Sequence, residues 1–200
     1  MTINRATRLI VLCRGATPAS RQLLFSSDEP LIPKDVERSR SIAHTLGNFD
    51  TILFAPEIAA AQTAAAFPGP AISCDALRDV DYGQWNNRTF ADVSEQSPQE
   101  MALWLSDPTA APHGGESFKQ AQARAASWLH SLHARGGNIL AVTHSIVLKL
   151  LFADVVGAPL TSIWRIDAEP MTMLGLTSDG KRWALRSFGP RTVFDTKFQE

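Results

Sequence analysis

Two short apolar runs constrain this chain more than any other feature. Thr7 to Cys13 and Asn138 to Val142 are almost unbroken in hydrophobicity and rich in β-branched and aliphatic residues. A strand covered on one face alternates apolar with polar, whereas a continuous run belongs to a strand covered on both faces, as in a parallel sheet. Each run stops at a polar segment: Arg14-Gly15 after the first, Thr143-His144-Ser145 after the second. In open α/β sheets, sites form at the carboxyl ends of strands. These two strand ends are therefore the first candidates.

The rest of the chain supplies the matching elements. Thr51 to Phe54 and Ala71 to Cys74 read as further strands. Helical patterns run from about Lys34 to Leu46, between Pro33 and Gly47, and from Pro56 to about Phe67. Others cover 97–106, 116–135 before Gly136-Gly137, and His144 to about Val156. Two last strands, Met171–Thr177 and Arg182–Ser187, meet at Ser178-Asp179-Gly180, a hairpin signal. Gly15 to Pro33 reads as a long loop. Strands alternating with helices predict an α/β three-layer sandwich, a mainly parallel sheet with helices on both faces. One domain is expected over 1–200, with a core of about 7–188 and a tail at 189–200.

Charge narrows the function classes. Nineteen Lys+Arg against twenty Asp+Glu give a net charge of -1. No basic field exists to hold a nucleic acid. No segment approaches the roughly 20 apolar residues of a membrane span. The N-terminal apolar run is too short for a signal sequence and ends at Arg14. A cytoplasmic protein without nucleic-acid or membrane partners is expected. Cys13 and Cys74 sit in strand-like runs and read as buried free thiols rather than a disulfide framework.

Six segments then occur in an informative order. They are Cys13-Arg14-Gly15-Ala16-Thr17; Asp28-Glu29-Pro30-Leu31; and Ala55-Pro56 with Ala60-Ala61-Gln62-Thr63-Ala64. Next come Leu77-Arg78-Asp79-Val80-Asp81-Tyr82-Gly83-Gln84-Trp85, Gly114-Gly115-Glu116-Ser117 and Val142-Thr143-His144-Ser145. This series resembles the histidine phosphatase superfamily, the phosphoglycerate mutase-like proteins. Its counterparts are Arg-His-Gly-x-Thr, Asp-x-Pro-Leu, Ser-Pro-x-x-Arg-Ala-x-Gln-Thr-Ala, Leu-x-Glu-x-x-Phe-Gly-x-Trp, Gly-Gly-Glu-Ser and Val-x-His-Gly. The resemblance covers about residues 8–187. It implies phosphoryl transfer through a phosphohistidine, with two Arg and a second His on the phosphate and a Glu or Asp as general acid/base. Clustered cationic donors suit a phosphoryl group whose charge is spread over three oxygens.

Carried over residue by residue, the resemblance breaks at its centre. An ungapped match puts Cys13 at the first Arg and Arg14 at the nucleophilic His. A one-residue gap keeps Arg14 as the Arg and deletes the His. Either way no histidine is available, and the second Arg position is Ala59. Asp79 takes the acid/base position and His144 the second-His position. Arg14 cannot be a nucleophile, because its guanidinium stays protonated. Cys13 is a poor substitute, since a Cys-x5-Arg cradle is absent and Pro18 removes an amide donor.

The expected site is thus catalytic His144 and Asp79, with Arg14, Gly15, Thr17 and Ser145 around a ligand. Arg21 and Arg78 are candidates for replacing charge lost at Ala59, and His113 for the pocket mouth, although a lone loop histidine more often faces solvent. His130 and His133 stand three apart on a helix but have no evident third metal ligand. No metal and no cofactor are expected. His44 reads as a bystander, and the five tryptophans read as packing anchors. The first expectation is a degenerate, pseudoenzyme-like binder of a small anionic ligand or a protein partner. The alternative is a phosphomonoester hydrolase of rearranged mechanism using Arg14, Asp79 and His144.

Overall fold

The computed structural model describes residues 6–190. Six strands, β1 (Thr7–Cys13), β2 (Thr51–Phe54), β3 (Ala71–Ser73), β4 (Gly137–Thr143), β5 (Met173–Ser178) and β6 (Trp183–Gly189), form one sheet in the order β3-β2-β4-β1-β5-β6. β3, β2, β4 and β1 run parallel; β5 is antiparallel to β1 and to β6. The sheet is mixed: the expected parallel core carries an antiparallel hairpin on one side. The two runs read as doubly covered strands are the two central ones. Leu9, Val11 and Leu12 of β1 and Leu140, Ala141 and Val142 of β4 are fully buried.

Among the described residues, seven α-helices accompany the sheet: α1 (Pro18–Arg21), α2 (Pro33–Leu46), α3 (Ile58–Ala64), α4 (Phe90–Gln96), α5 (Pro98–Ser106), α6 (Phe118–Ser131) and α7 (Ser145–Val156). Pro33 opens α2 and Gly47 closes it at φ 72°, as the sequence signals require. Three departures from expectation have local causes. The 15–33 segment contains the one-turn α1, capped by Thr17 and Ser20 in a reciprocal box. α4 starts at a capping box, Thr89 with Asp92, that periodicity alone does not reveal. The Ala-rich helix is shorter than read, because Glu57 stays extended ahead of α3. Gly189 completes β6, and 191–200, most of the expected tail, lie outside the described residues.

A second apolar cluster supports the segment between β3 and α6. Phe25, Val80, Tyr82, Trp85, Trp104 and Phe118 pack together, with ring centroids of Phe25 and Tyr82 5.1 Å apart and of Phe25 and Trp85 5.3 Å apart. Such pairs add stabilisation beyond area burial. Trp85, Trp104 and Trp183 are buried, Trp128 packs against the main core, and the partly exposed Trp164 packs on Trp104 at 5.0 Å. The tryptophans are anchors, as expected. No described helix is long and apolar enough to cross a membrane.

Two motif glycines permit a backbone crossing that holds the site loop. The Glu116 amide donates to the Asp81 carbonyl at 2.7 Å, and the Gln84 amide to the His113 carbonyl at 3.0 Å. A Cβ on Gly115 would lie 2.1 Å from the Asp81 oxygen, and one on Gly83, already at positive φ, 2.2 Å from the His113 oxygen. Gly115→Ala is expected to destabilise the fold by about 2 kcal/mol or more, since overpacking here meets backbone rather than a flexible side chain. Chemical denaturation checks this; an unchanged midpoint would show that the two segments separate freely.

Candidate active site

Strand register builds the site. β1 and β4 pair in parallel from Thr7↔Gly137 to Cys13↔Thr143, so the next residues, Arg14 and His144, emerge side by side. The Arg14 amide donates to the Thr143 carbonyl at 2.7 Å and prolongs the ladder past the strand ends. On the other flank β2 pairs with β4, Phe54 opposite Val142, and the Ala55 amide donates to the Val142 carbonyl. Glu57 follows two residues later. Beyond β3, the Thr143 hydroxyl donates to the Leu77 carbonyl at 2.6 Å, which brings the Asp79 loop alongside.

Four charged groups meet there. His144 is 4% exposed and is pinned through both ring nitrogens. Nε2 lies 3.0 Å from Glu57 Oε2, and Nδ1 lies 3.2 Å from Asp79 Oδ2. The two carboxylates outweigh burial and raise the His144 pKa to about 9. At neutral pH the ring is an imidazolium donating to both. Arg14 Nε stands 3.3 Å from Nδ1. That contact is a donated bond only to the neutral ring, the form both carboxylates disfavour. The second hold on Arg14 is its own turn, Nη1 donating to the Gly15 carbonyl at 2.8 Å. Burial alone would raise the Asp79 and Glu57 carboxyls, but His144 beside each, with Arg14 also beside Asp79, holds both below the ordinary carboxylate range.

The carboxylates are themselves placed by amides and by a guanidinium clamp. The Asp79 amide donates to Glu57 Oε1 at 3.0 Å, and the Val80 amide to Asp79 Oδ1 at 2.9 Å. Arg124 donates to the carbonyls of Ala76 and Arg78 at 2.8 and 3.1 Å, and its charge is balanced by Glu116 at 2.7 and 2.9 Å. Glu116 of the Gly-Gly-Glu-Ser segment thus holds the loop that carries Asp79. The neighbouring Asp75 and Asp81 face solvent.

The remaining expected residues divide. Ser145 borders the site, but its hydroxyl is spent on the Ala168 carbonyl at 2.7 Å. The Gly15 amide is spent on Thr63 Oγ1, and the Thr17 hydroxyl oxygen, buried, accepts from the Ser20 amide in the cap of α1. Gly15 serves close packing: a Cβ would lie 2.8 Å from Met171 and 2.9 Å from Leu31. Arg78 pairs with Asp75 and Glu116 outside the pocket. His113 neither lines the mouth nor faces solvent. It is buried against Tyr82 and Trp85, accepts from the Gly115 amide through Nδ1, and is held neutral by burial. The backbone crossing at Gly83 and Gly115 forces that burial. Ala59 is buried in α3 and offers no charge. Cys13 is buried as expected, and burial pushes its thiol up to about 11; Cys74 is only half-buried. No described group of three His, Cys, Asp or Glu side chains could hold a metal.

Glu57, Arg124 and Lys149 were not legible as site residues. Glu57 occupies an unspecified position of its motif; its one signal is a carboxylate just past a strand end. Lys149, one turn into α7, borders a small pocket of about 200 Å³ with Arg14, Asp79 and His144. A wider cleft of about 800 Å³ adjoins it, walled by Arg14, Arg21, Leu23, Leu24, Phe25 and Phe90 among others. The wall is stitched by the Phe90 amide donating to the Leu23 carbonyl and the Phe25 amide to that of Arg88.

The sequence profile described as "Histidine phosphatase superfamily (branch 1)" matches residues 9–190. This chain belongs to that superfamily. It is 26% identical over 198 residues to the adenosylcobalamin/alpha-ribazole phosphatase of Escherichia coli K12, covering 93% of this chain and 97% of that protein. It is 27% identical over 172 residues to the glucosyl-3-phosphoglycerate phosphatase of Mycolicibacterium vanbaalenii, covering 78% and 76%. The crystal structure of the alpha-ribazole phosphatase from Shigella flexneri superposes with a TM-score of 0.81 at 25% identity, over 92% of this chain and 96% of that one. The superfamily and its α/β fold are thus as expected.

The charge arrangement sets a pH dependence. His144 binds its proton more tightly folded, near 9, than at its ordinary 6.5. Its contribution to stability is full below about pH 6.5 and is lost as pH rises through about 9. Glu57 and Asp79, held low, contribute above the ordinary carboxylate range and lose that contribution as pH falls below it. NMR of the His144 ring is expected to give a midpoint near 9, falling in Asp79→Asn; an unshifted midpoint near 6.5 would remove the imidazolium. Thiol labelling at pH 8 is expected to modify Cys74 well before Cys13, and equal rates would show the β1 end to be open.

Proposed function

We propose that this chain is a catalytically silent member of the superfamily that binds a small organic monoanion. One observation carries the reading: the guanidinium of Arg14 faces His144, where phosphohistidine chemistry would need a second imidazole. Arg14 has no free lone pair to attack phosphorus. His144, protonated and held at both nitrogens, is neither nucleophile nor base. Asp79 and Glu57, both held below the ordinary carboxylate range, are poor proton donors at neutral pH and weak bases for water. The same facts weigh against the rearranged hydrolase.

The ligand class follows from charge and shape. Arg14 and His144 are balanced by Glu57 and Asp79, so a phosphate dianion would enter beside two carboxylates. The wider cleft is different: Arg14 and Arg21 line it, no carboxylate does, and its other walls are largely apolar. A carboxylate or sulfonate head on Arg14 with an aromatic or aliphatic body over Leu24, Phe25 and Phe90 fits that surface. The curated relatives named above act on phosphorylated compounds, and in this chain the equivalent region would keep an anion without cleaving it.

Two measurements test this. Wild-type protein is expected to release no phosphate from p-nitrophenyl phosphate or phosphoserine above the blank, while Cys13→Arg/Arg14→His/Ala59→Arg gains turnover. Wild-type turnover abolished by His144→Ala would overturn the proposal. Binding of 2-naphthoate, followed by fluorescence or calorimetry, is expected to weaken roughly ten- to a hundredfold in Arg14→Met, the range of one charge-assisted bond. No binding by the wild type would remove the ligand class.

A further inference from the structure

Glu57 is a charged member of the site that the motif pattern does not call for, and its surroundings are those of a bound anion. Its Oε2 takes the Nε2–H of His144 at 3.0 Å, and its Oε1 takes the Asp79 amide at 3.0 Å. Its side chain is only 20% exposed. An imidazolium N–H and a converging backbone amide are the donors by which proteins hold phosphate oxygens. Here a carboxylate of the chain itself fills them. The tether is short and extended: Glu57 stands at φ -69°, ψ 150°, between the end of β2 and the first turn of α3. The local concentration of this carboxylate at His144 is therefore far above that of any dissolved ion. A phosphate dianion arriving at the same donors would have to displace it, and would then meet both Glu57 and Asp79 as like charges at close range.

We infer that Glu57 is the specificity-determining residue of this site: a tethered internal anion that occupies the donors on His144 Nε2 and the Asp79 amide and thereby excludes phosphate. This deepens the proposed function, since it names what keeps phosphate out of a superfamily pocket, and it rests on that reading only for the identity of the ligand admitted instead. The donors themselves are intact. Removing the carboxylate should uncover an anion site on an unchanged backbone.

Inorganic phosphate is the probe, in 31P NMR and calorimetry on wild type, Glu57→Gln and Glu57→Ala, with thermal unfolding as the check on folding. Wild type is expected to show no saturable binding at about 10 mM phosphate. Glu57→Ala should bind about tenfold tighter or more. Glu57→Gln, which keeps an acceptor oxygen but no charge, should fall between. The His144 ring provides a readout that a merely structural role would not move. Its titration midpoint should drop in Glu57→Ala, and phosphate should raise it again in the variant but not in the wild type. Equal phosphate affinity in wild type and Glu57→Ala would overturn the inference. So would a folded Glu57→Ala whose His144 midpoint drops yet which binds no phosphate, since the donors would then not form an anion site. Turnover by the wild type would instead overturn the proposed function and leave the phosphate-binding comparison standing.

Discussion

The structure depends on one register. β1 and β4 pair in parallel, residue for residue, from Thr7↔Gly137 to Cys13↔Thr143. Both strands are buried on both faces, so a slip of one residue would turn buried Leu and Val side chains against the wrong layer. The apolar runs hold that register, and the register places Arg14 against His144. The polar chemistry of this protein is in that sense positioned by its hydrophobic core. β2 and the loop beyond β3 add Glu57 and Asp79 by the same logic, each carried by a chain segment leaving the same end of the sheet.

Two positive and two negative groups result, nearly all of them shielded from water. A buried charge without a partner is costly, and removal of one partner from such a set costs more than the set contributes. Arg14, His144, Glu57 and Asp79 therefore act as a unit. Two layers support it. Amides of Asp79 and Val80 orient the carboxylates, and Arg124 with Glu116 holds the loop beneath them. Gly83 and Gly115 let two backbones cross so that this loop can close down. Several motif residues in this chain are thus explained by architecture, whether or not phosphoryl chemistry takes place above them.

Much of the fold was legible because its signals are local. Continuous apolar runs, Pro33 before a helix and Gly47 after it, and Ser178-Asp179-Gly180 between two strands each act within a few residues. The site was legible in part. Arg14, Asp79 and His144 were expected together and stand together. His113 was misplaced because the sequence does not announce a backbone crossing. The Gly15 amide is committed to Thr63, and the Thr17 hydroxyl oxygen accepts in the cap of α1. Arg78 carries the expected charge but spends it on Asp75 and Glu116. In each case a hydrogen-bond or ion-pair partner, local for Thr17 and distant for Gly15, sets the direction of the polar group.

By itself, the sequence determined the α/β class, the superfamily and the absence of a histidine after β1. Those facts depend on residue type, order and short-range periodicity. Tertiary structure decided that Arg14 stands opposite His144, that Glu57 takes the second nitrogen of that ring, and that the four charges cancel. Glu57 and His144 are 87 residues apart in the chain. Their meeting depends on strand order and register, and on the low-dielectric pocket these create, where a carboxylate 3.0 Å away holds the proton on an imidazole that water would leave largely neutral.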